Sequence, residues 1–142
     1  MKVTYRLRGQ RAADSALSAM KAPARKAILR KTMKPAAEPV ARSMRARVRV
    51  EEGDLRESVD VGERLSPTQR VRHRRAADFE MFVGPGPLPQ AITEEFGTVH
   101  EAGHPFARPA WDAEGRATLD RFGAGLGIEI DRAAARAGKS KP

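Results

Sequence analysis

The chain has 142 residues, the size of one domain, and 27 lysine and arginine residues against 18 aspartate and glutamate residues give a formal net charge of +9. Since 40% of the residues are hydrophobic and 5% aromatic, we expect a thin core rich in alanine and valine. The sequence has no run of about 20 apolar residues, no apolar stretch at its start and no cysteine, which argues against a membrane protein, a signal peptide, disulfides and cysteine-ligated zinc.

The first third of the sequence predicts a strand and two helices. Val3, Tyr5 and Leu7 alternate with polar residues, which is typical of a strand. Residues 10–21 fit a helix, and residues 24–48 fit a longer, basic one whose apolar residues recur every three or four positions: Leu29, Met33, Ala36, Val40 and Met44. Pro35 and Pro39 lie inside this helix, and because an internal proline costs about 3 kcal/mol, we expect a bend or two helical pieces.

The middle of the sequence predicts a turn, two strands and a polar connection. Residues 51–54 have turn composition, and residues 58–62 and 78–83 alternate as strands. The connection over residues 63–77, here called the arginine arm, is predicted to be polar and mobile. A run of glycines and prolines over residues 84–89 ends the second strand.

The last third predicts a second long helix. Residues 91–96 form a short ordered piece of undetermined type, and residues 97–105 form a loop. A helix then fits residues 109–137, although Gly123, Gly125 and Gly127 each cost about 1 kcal/mol relative to alanine, so it is soft there or closely packed. Residues 138–142 are expected to be a disordered basic tail.

These elements predict an α+β fold, in which a small, mostly antiparallel sheet of three to four strands packs with two long amphipathic helices. We expect one domain over residues 1–137. Because so small a sheet covers only part of the apolar helix faces, we expect an oligomer to cover the rest.

Charge is segregated along the chain. Residues 1–50 carry 14 basic side chains against two acidic ones, residues 51–63 carry six acidic side chains against one arginine, and a second basic cluster follows at Arg70, Arg72, Arg74 and Arg75. Such a distribution suits nucleic acid, through phosphate neutralisation, or a second copy of the chain, through opposite faces. A merely solvated basic face is the third reading, and charge alone does not decide among them.

One short motif suggests zinc chemistry. His100-Glu101-Ala102-Gly103-His104 satisfies H-E-x-x-H, in which two histidines one helical turn apart bind zinc beside a catalytic glutamate. Because glycine and proline surround and interrupt this stretch, a helix is not expected there. We therefore predict two loop histidines and no metal site.

Four stretches in order carry a family resemblance. They are Gly53-Asp54-Leu55-Arg56-Glu57-Ser58, Phe82-Val83-Gly84-Pro85, Glu95-Phe96-Gly97-Thr98 and Pro105-Phe106-Ala107-Arg108-Pro109-Ala110-Trp111. In this order and spacing, over roughly residues 1–137, the chain resembles the neck or tail-completion proteins of long-tailed double-stranded DNA bacteriophages (siphoviruses), often described as tail components.

The resemblance implies a structural virion protein and no enzyme, cofactor or metal. It implies a ring of about six copies at the head–tail junction, between a head-closure or connector protein and the tail terminator or tail tube protein. Double-stranded DNA would pass through the lumen, and the ring would assemble in the bacterial host cytoplasm, away from membranes.

The resemblance also assigns roles to residues. The lumen candidates are Arg70, Arg72, Arg74 and Arg75, and the structural motif residues are Gly53, Leu55, Ser58, Gly84, Glu95, Phe96, Gly97, Thr98, Pro105, Phe106, Arg108, Pro109, Ala110 and Trp111. We expect Gly97 and Thr98 to form a turn that places Phe96 inward, and Phe106 and Trp111 to anchor the second long helix on the sheet.

Two other functions compete with this reading. The first is a sequence-independent DNA-binding protein, suggested by the net charge of +9 and a pI near 10.8. The second is a zinc hydrolase, suggested only by the stretch from His100 to His104.

Overall fold

The structure, a computed structural model, describes residues 9–49, 51 and 53–139. The predicted strand over residues 3–7 and the last three residues of the predicted tail lie outside this part of the chain. The elements follow one another as α1 (Gln10–Ser18), α2 (Ala22–Arg47), α3 (Gly53–Ser58), β1 (Asp60–Gly62), α4 (Pro67–Arg72), β2 (Phe82–Gly84), α5 (Pro89–Phe96) and α6 (Ala107–Lys139).

The first two helices lie where the sequence predicts them, but α2 is one continuous helix. It begins at Ala22 with Pro23 in its first turn, where the missing proline N–H costs nothing. It then continues through Pro35 and Pro39, so the two-piece alternative is wrong. Ala36 and Val40, between and beside these prolines, are buried, and their packing offsets the cost of the lost backbone hydrogen bonds.

The sheet is antiparallel, as predicted, but smaller. Asp60 of β1 lies opposite Gly84 of β2, Val61 opposite Val83, and Gly62 opposite Phe82. Within the described residues the sheet has two strands, so the prediction of three to four is wrong there. One reason is local: the backbone N–H of Ala76 donates to the Glu80 carboxylate at 2.6 Å, and this closes a turn where the second strand was expected to begin.

Three other segments differ from prediction. Residues 53–58 form α3, although the predicted turn reaches Asp54; Glu51 does lie in a turn. The arginine arm contains α4, a short helix that the polar composition did not predict. Helix α6 is longer at both ends than predicted, and Lys139, assigned to the tail by the sequence, is its last residue.

The chain divides into two compact units. The helical unit consists of the residues up to Ala36 and from Arg116 onward, and the sheet unit consists of Ala37–Gly115. Helices α2 and α6 each contribute to both units. The single domain over residues 1–137 stays a prediction.

The sheet unit holds the larger core. Its buried side chains come from α2, α3, β1, the start of α6 and residues directly beside these elements, and they form one cluster: Val40, Ala41, Met44, Val48, Leu55, Val59, Val61, Phe106 and Ala110. Arg45 fastens α2 to the residue before β1, since its Nε and Nη2 donate to the Val59 carbonyl at 3.0 and 2.7 Å. This core therefore joins the α+β elements predicted from the sequence.

The helical unit has a thinner core. Its buried hydrophobic residues in the described chain are Ile28, Ala36 and Leu126. A Cβ built on Gly125 of α6 would lie 3.7 Å from Cγ2 of Thr32 in α2, an ordinary van der Waals contact, so α6 packs against α2 at this glycine, whereas Gly127 faces open space. Nearby, the buried carboxylate of Glu129 lies 3.1 Å from the Lys31 ammonium. The contact at Gly125, the pair between Lys31 and Glu129, and a hydrogen bond from Arg121 of α6 to the Ala36 carbonyl of α2 at 3.2 Å link these helices.

Candidate interaction surfaces

Glu95 joins two of the four motifs. Its carboxylate accepts hydrogen bonds from the backbone N–H groups of Phe106 (2.8 Å), Ala107 (2.9 Å) and Arg108 (3.1 Å). These N–H groups begin α6 and have no carbonyl partner within the helix. A carboxylate at this end also interacts favourably with the helix dipole. Glu95 is therefore the cap of α6, although it lies 11 residues before the first N–H group that it binds.

The loop between these motifs closes on two glycines. Gly97 has a φ of 78°, and a Cβ there would lie 2.4 Å from the backbone nitrogen of Gly103. A Cβ on Gly103 would in turn lie 2.7 Å from the nitrogen of Gly97. The Thr98 hydroxyl accepts from the N–H groups of His100 (3.2 Å) and Glu101 (3.1 Å). Only glycine fits at the two contact positions, so the loop has a defined shape.

Arg49, the second residue after α2, binds one carboxylate in α5 and one in the same loop. The Arg49 guanidinium donates to Glu94 through Nη2 at 2.6 Å and through Nε at 2.9 and 3.1 Å, and to Glu101 through Nη1 at 3.1 Å. Glu94 is 3% exposed. Hydrogen bonds to Glu94, and then to Glu101, raise the pKa of Arg49 above its ordinary value. Because the buried carboxylate is paired, its burial is tolerated.

The other two motifs also meet in space. Leu55 is fully buried in the core of the sheet unit. The Ser58 hydroxyl donates to the Leu55 carbonyl at 2.7 Å and accepts from the N–H of Gly86 at 3.1 Å. The first motif is thus tied to the segment that follows the second. Gly53 and Gly84 have open space where a Cβ would lie, so no close contact requires a glycine at either position.

The prediction that Phe96 points inward is wrong. Phe96 is 80% exposed, because Glu94 and Glu95 take the inward positions at this end of α5. Ile92, one helical turn earlier, is 65% exposed, and Val99 in the adjoining loop is 95% exposed. These three exposed apolar side chains lie within eight residues of the chain, on α5 and in the loop that follows it, and are here together called the apolar knob.

A groove lies beside the sheet in the same unit. It has a volume of about 700 Å³. Its apolar lining includes Leu65, Met81, Phe82, Pro85, Pro87 and Trp111, and we call it the Trp111 groove. Trp111, which the sequence predicted as an anchor, is 42% exposed at this groove, whereas Phe106 is 1% exposed in the core. The remaining motif residues surround the start of α6: Pro105 and Arg108 are exposed, Pro109 is half-buried, and Ala110 is buried.

The arginine arm has more internal structure than its composition suggests. Ser66 caps α4, because its hydroxyl accepts from the N–H of Gln69 at 3.3 Å while the Gln69 side chain accepts from the N–H of Ser66 at 3.1 Å. This reciprocal arrangement is a capping box, and Pro67 at the first helical position adds a fixed backbone angle.

A second contact closes the end of the arm. His73 Nε2 lies 2.7 Å from Glu80 Oε2, and the His73 ring packs edge-on against Phe82 of β2 with ring centroids 5.2 Å apart. The Ala76 N–H donates to the other Glu80 oxygen at 2.6 Å. The hydrogen bond from Ala76, followed by that from His73, lowers the pKa of Glu80 below its ordinary value of 4.5. The arm is therefore tied to the sheet at its end.

The four lumen candidates lie together on this arm, all exposed, but they differ in their contacts. Arg75 donates to the carbonyl of Ala77 at 2.8 Å and also to that of Asp78, and Arg70 donates to a nearby carbonyl at 3.4 Å. Arg72 and Arg74 have no side-chain partner within the described residues. Arg72 and Arg74 are therefore the most available to an anionic partner.

The stretch from His100 to His104 does not form the zinc-protease geometry. It lies in the loop before α6, where the H-E-x-x-H chemistry requires a helix. No group of three potential ligands is assembled among the residues that the structure describes. Glu101, the glutamate of the motif, is instead a partner of Arg49.

Sequence reasoning missed several of these features. Glu94 and Glu95 are adjacent in the sequence and of the same type, yet one binds Arg49 and the other caps α6. The apolar knob was missed because an exposed Ile92 or Val99 cannot be told from a buried one by type. The only available signal was the spacing of Ile92 and Phe96, which places both on one helix face.

Comparison with protein-family models identifies the family to which the chain belongs. A comparison with curated proteins and one with solved structures each found no match. None of the described helices is both long and apolar enough to cross a membrane. A family described as "Bacteriophage HK97-gp10, putative tail-component" matches residues 11–86, just over half of the chain, from α1 to the segment following β2. The chain therefore belongs to the HK97-gp10-like family of bacteriophage tail components.

Proposed function

We propose that this tail component forms a ring of about six copies at the head–tail junction of a long-tailed bacteriophage. The ring lies between the head-closure or connector protein and the tail terminator or tail tube protein, and DNA passes through its lumen. The protein has a structural role and needs no cofactor. The observation that carries this proposal is the family membership over residues 11–86.

Exposed apolar surface supports the oligomeric part of the proposal. Ile92, Phe96 and Val99 are 65%, 80% and 95% exposed on the sheet unit. On the helical unit, Ile128 of α6 is 54% exposed next to a thin core. Clustered exposed apolar side chains mark interaction sites, and a ring buries them between neighbouring subunits.

The arginine arm supports the lumen part of the proposal. It presents four arginines on an ordered segment, and the one aromatic ring among residues 70–75, that of His73, is already in contact with Glu80 and Phe82. Arginines that neutralise phosphates without reading bases suit DNA of any sequence that must slide past. We therefore place Arg72 and Arg74 closest to the DNA, with Arg70 and Arg75 supporting the arm.

Deletion of the gene from the phage tests the position at the junction. Electron microscopy of the lysate should show DNA-filled heads and completed tails that remain separate, and expression of the full chain in trans should join them. Joined virions in the deletion lysate would refute the proposal, and so would a lysate without tails, because that places the protein in tail assembly itself.

The lumen role is tested in the same complementation assay. R72Q/R74Q should still give rings and joined particles but should lower the titre, since the lumen loses phosphate contacts. The matched control is R42Q/R47Q, which removes the same charge from exposed positions of α2. Equal titres for the two variants would refute the assignment of Arg72 and Arg74 to DNA.

A sequence-independent DNA-binding protein is the second candidate, favoured by the net charge of +9. It predicts tight binding of the isolated chain to DNA that falls steeply with salt. A lumen subunit needs little affinity of its own at moderate salt, because the ring holds the DNA by enclosure. Binding of the isolated chain near 150 mM salt therefore distinguishes the two.

A further inference from the structure

We infer that the apolar knob of one subunit inserts into the Trp111 groove of the next copy of the chain. The inference rests on the proposed ring and names the two surfaces that build it. It commits to a second copy of this chain as the partner of both surfaces.

The knob is exposed and also rigid. Phe96 alone has on the order of 150 Å² of surface to lose, because an aromatic side chain buries about 150–250 Å² and this one is 80% exposed. Its base is fixed by Arg49 bound to Glu94, and the loop that carries Val99 closes on the contact between Gly97 and Gly103. A feature held this firmly loses little conformational freedom when it binds.

The groove is open, and the chain's own knob does not occupy it. None of the knob residues lines the groove, and its volume of about 700 Å³ is large enough for several side chains. Trp111 at its margin is 42% exposed, an arrangement typical of aromatic residues at protein interfaces.

A convex feature and a concave feature on one subunit favour head-to-tail association. Two knobs facing each other would bury little surface and leave both grooves empty. A knob in a groove uses two different surfaces of each subunit, and such a contact repeats from copy to copy and gives a ring when the rotation between copies closes.

The charges beside the two surfaces are complementary. Next to the knob lie Arg108, whose side chain has no partner in the described residues, and Glu101, whose side chain is 61% exposed. The groove lining contains Asp60, Glu63 and Arg64. The Asp60 side chain is 75% exposed, and its contact with the Arg45 guanidinium is long, at 3.9 Å. In the docked arrangement Arg108 meets Asp60, and Glu101 meets Arg64. Such rim charges fix the register of an interface more than its affinity.

The absence of cysteine from the sequence makes a cross-linking test possible. Val99→Cys marks the knob, and Gly62→Cys marks the groove, where a Cβ meets nothing within 4 Å. Mixed V99C and G62C chains, treated with a short bismaleimide, should give a covalent dimer, and the V99C/G62C double variant should give a ladder. V99C alone should stay uncoupled. A V99C homodimer without the mixed product would mean knob-to-knob pairing and would overturn the inference.

Substitutions test the same contact without a reagent. Phe96→Glu should raise the subunit concentration needed for assembly about 30-fold or more, as expected for a central interface residue. The matched control is Val71→Glu on α4, a site 87% exposed, which should change it little. Arg108→Asp should weaken assembly, and Asp60→Arg in the same chain should restore it. Circular dichroism checks that each variant is folded.

The outcomes separate this inference from the proposed function. Rings that form normally with F96E and give no mixed V99C–G62C product would overturn the inference and leave the ring standing. A mixed product from chains that build only open or short assemblies would support the contact and contradict the ring. Chains that neither cross-link nor assemble would refute both.

Discussion

Removal of the Glu95 carboxylate should destabilise the protein, because this side chain on α5 caps a different helix, α6. The side chain caps α6 by accepting from three backbone N–H groups, those of residues 106–108. Loss of a helix cap costs about 1–2 kcal/mol, and the charge near the helix dipole adds about 0.3–1 kcal/mol. We expect Glu95→Ala to lower the free energy of unfolding by about 1.3–3 kcal/mol.

Glu95→Gln separates geometry from charge. Oε2 of Glu95 accepts from Phe106 and Ala107, and Oε1 accepts from Arg108. An amide oxygen can keep the first two bonds, but its NH₂ group is a donor and cannot replace the third. Since the charge is lost as well, we expect a loss of about 1–2 kcal/mol, between the alanine variant and the unmodified chain.

The assay is urea unfolding at pH 7, followed by circular dichroism at one fixed subunit concentration, because association also contributes to stability. Glu57, an exposed carboxylate on α3, provides the matched control. Glu57→Gln and Glu57→Ala should stay within about 0.5 kcal/mol of the unmodified chain. If the Glu95 and Glu57 variants unfold at the same urea concentration, the capping argument is wrong.

Three further predictions address the loop, the ion pair and the arm. Gly97→Ala should destabilise the protein by about 2 kcal/mol or more, because the new Cβ would lie 2.4 Å from a backbone nitrogen. The control Gly127→Ala, where the Cβ would lie in open space, should stabilise α6 by up to about 1 kcal/mol. Equal melting temperatures for the two variants would contradict this. Arg49→Met should lower the melting temperature clearly and Arg47→Met should not, because only the former leaves a buried carboxylate unpaired; similar shifts would argue against the ion pair. The pKa of Glu80 is below its ordinary 4.5, so the contribution of Glu80 to stability is present above pH 4.5 and is lost as the pH falls through the lowered pKa. Amide protection in the arm should therefore decrease at that pH. Glu80→Gln should abolish this pH dependence.

The sequence predicted the elements whose signal is local and periodic. The stripe containing Ala36, Val40 and Met44 predicted the buried face of α2, and alternation predicted an antiparallel pair at β1 and β2. Proline propensity misled at α2, because packing along its buried face outweighed the two lost backbone bonds. After the arm, Glu80 accepts a hydrogen bond from the Ala76 N–H and closes a turn in a segment that alternation alone assigned to a strand.

The candidate surfaces could be predicted only in part. The motifs located Glu95, Phe96 and Gly97, but the sequence could not show that the carboxylate turns inward while the phenylalanine turns outward. That choice depends on a partner 11 residues away, at the start of α6. The Trp111 groove likewise combines residues from separate elements, which no local pattern links.

The most direct test of the central claim is negative-stain electron microscopy of the purified full chain, alone and mixed with the structural proteins encoded beside it, together with its mass in solution. We predict rings of about six subunits, or stacks of such rings on those of the neighbouring proteins. A chain that remains monomeric at every concentration and binds neither neighbour would contradict the account.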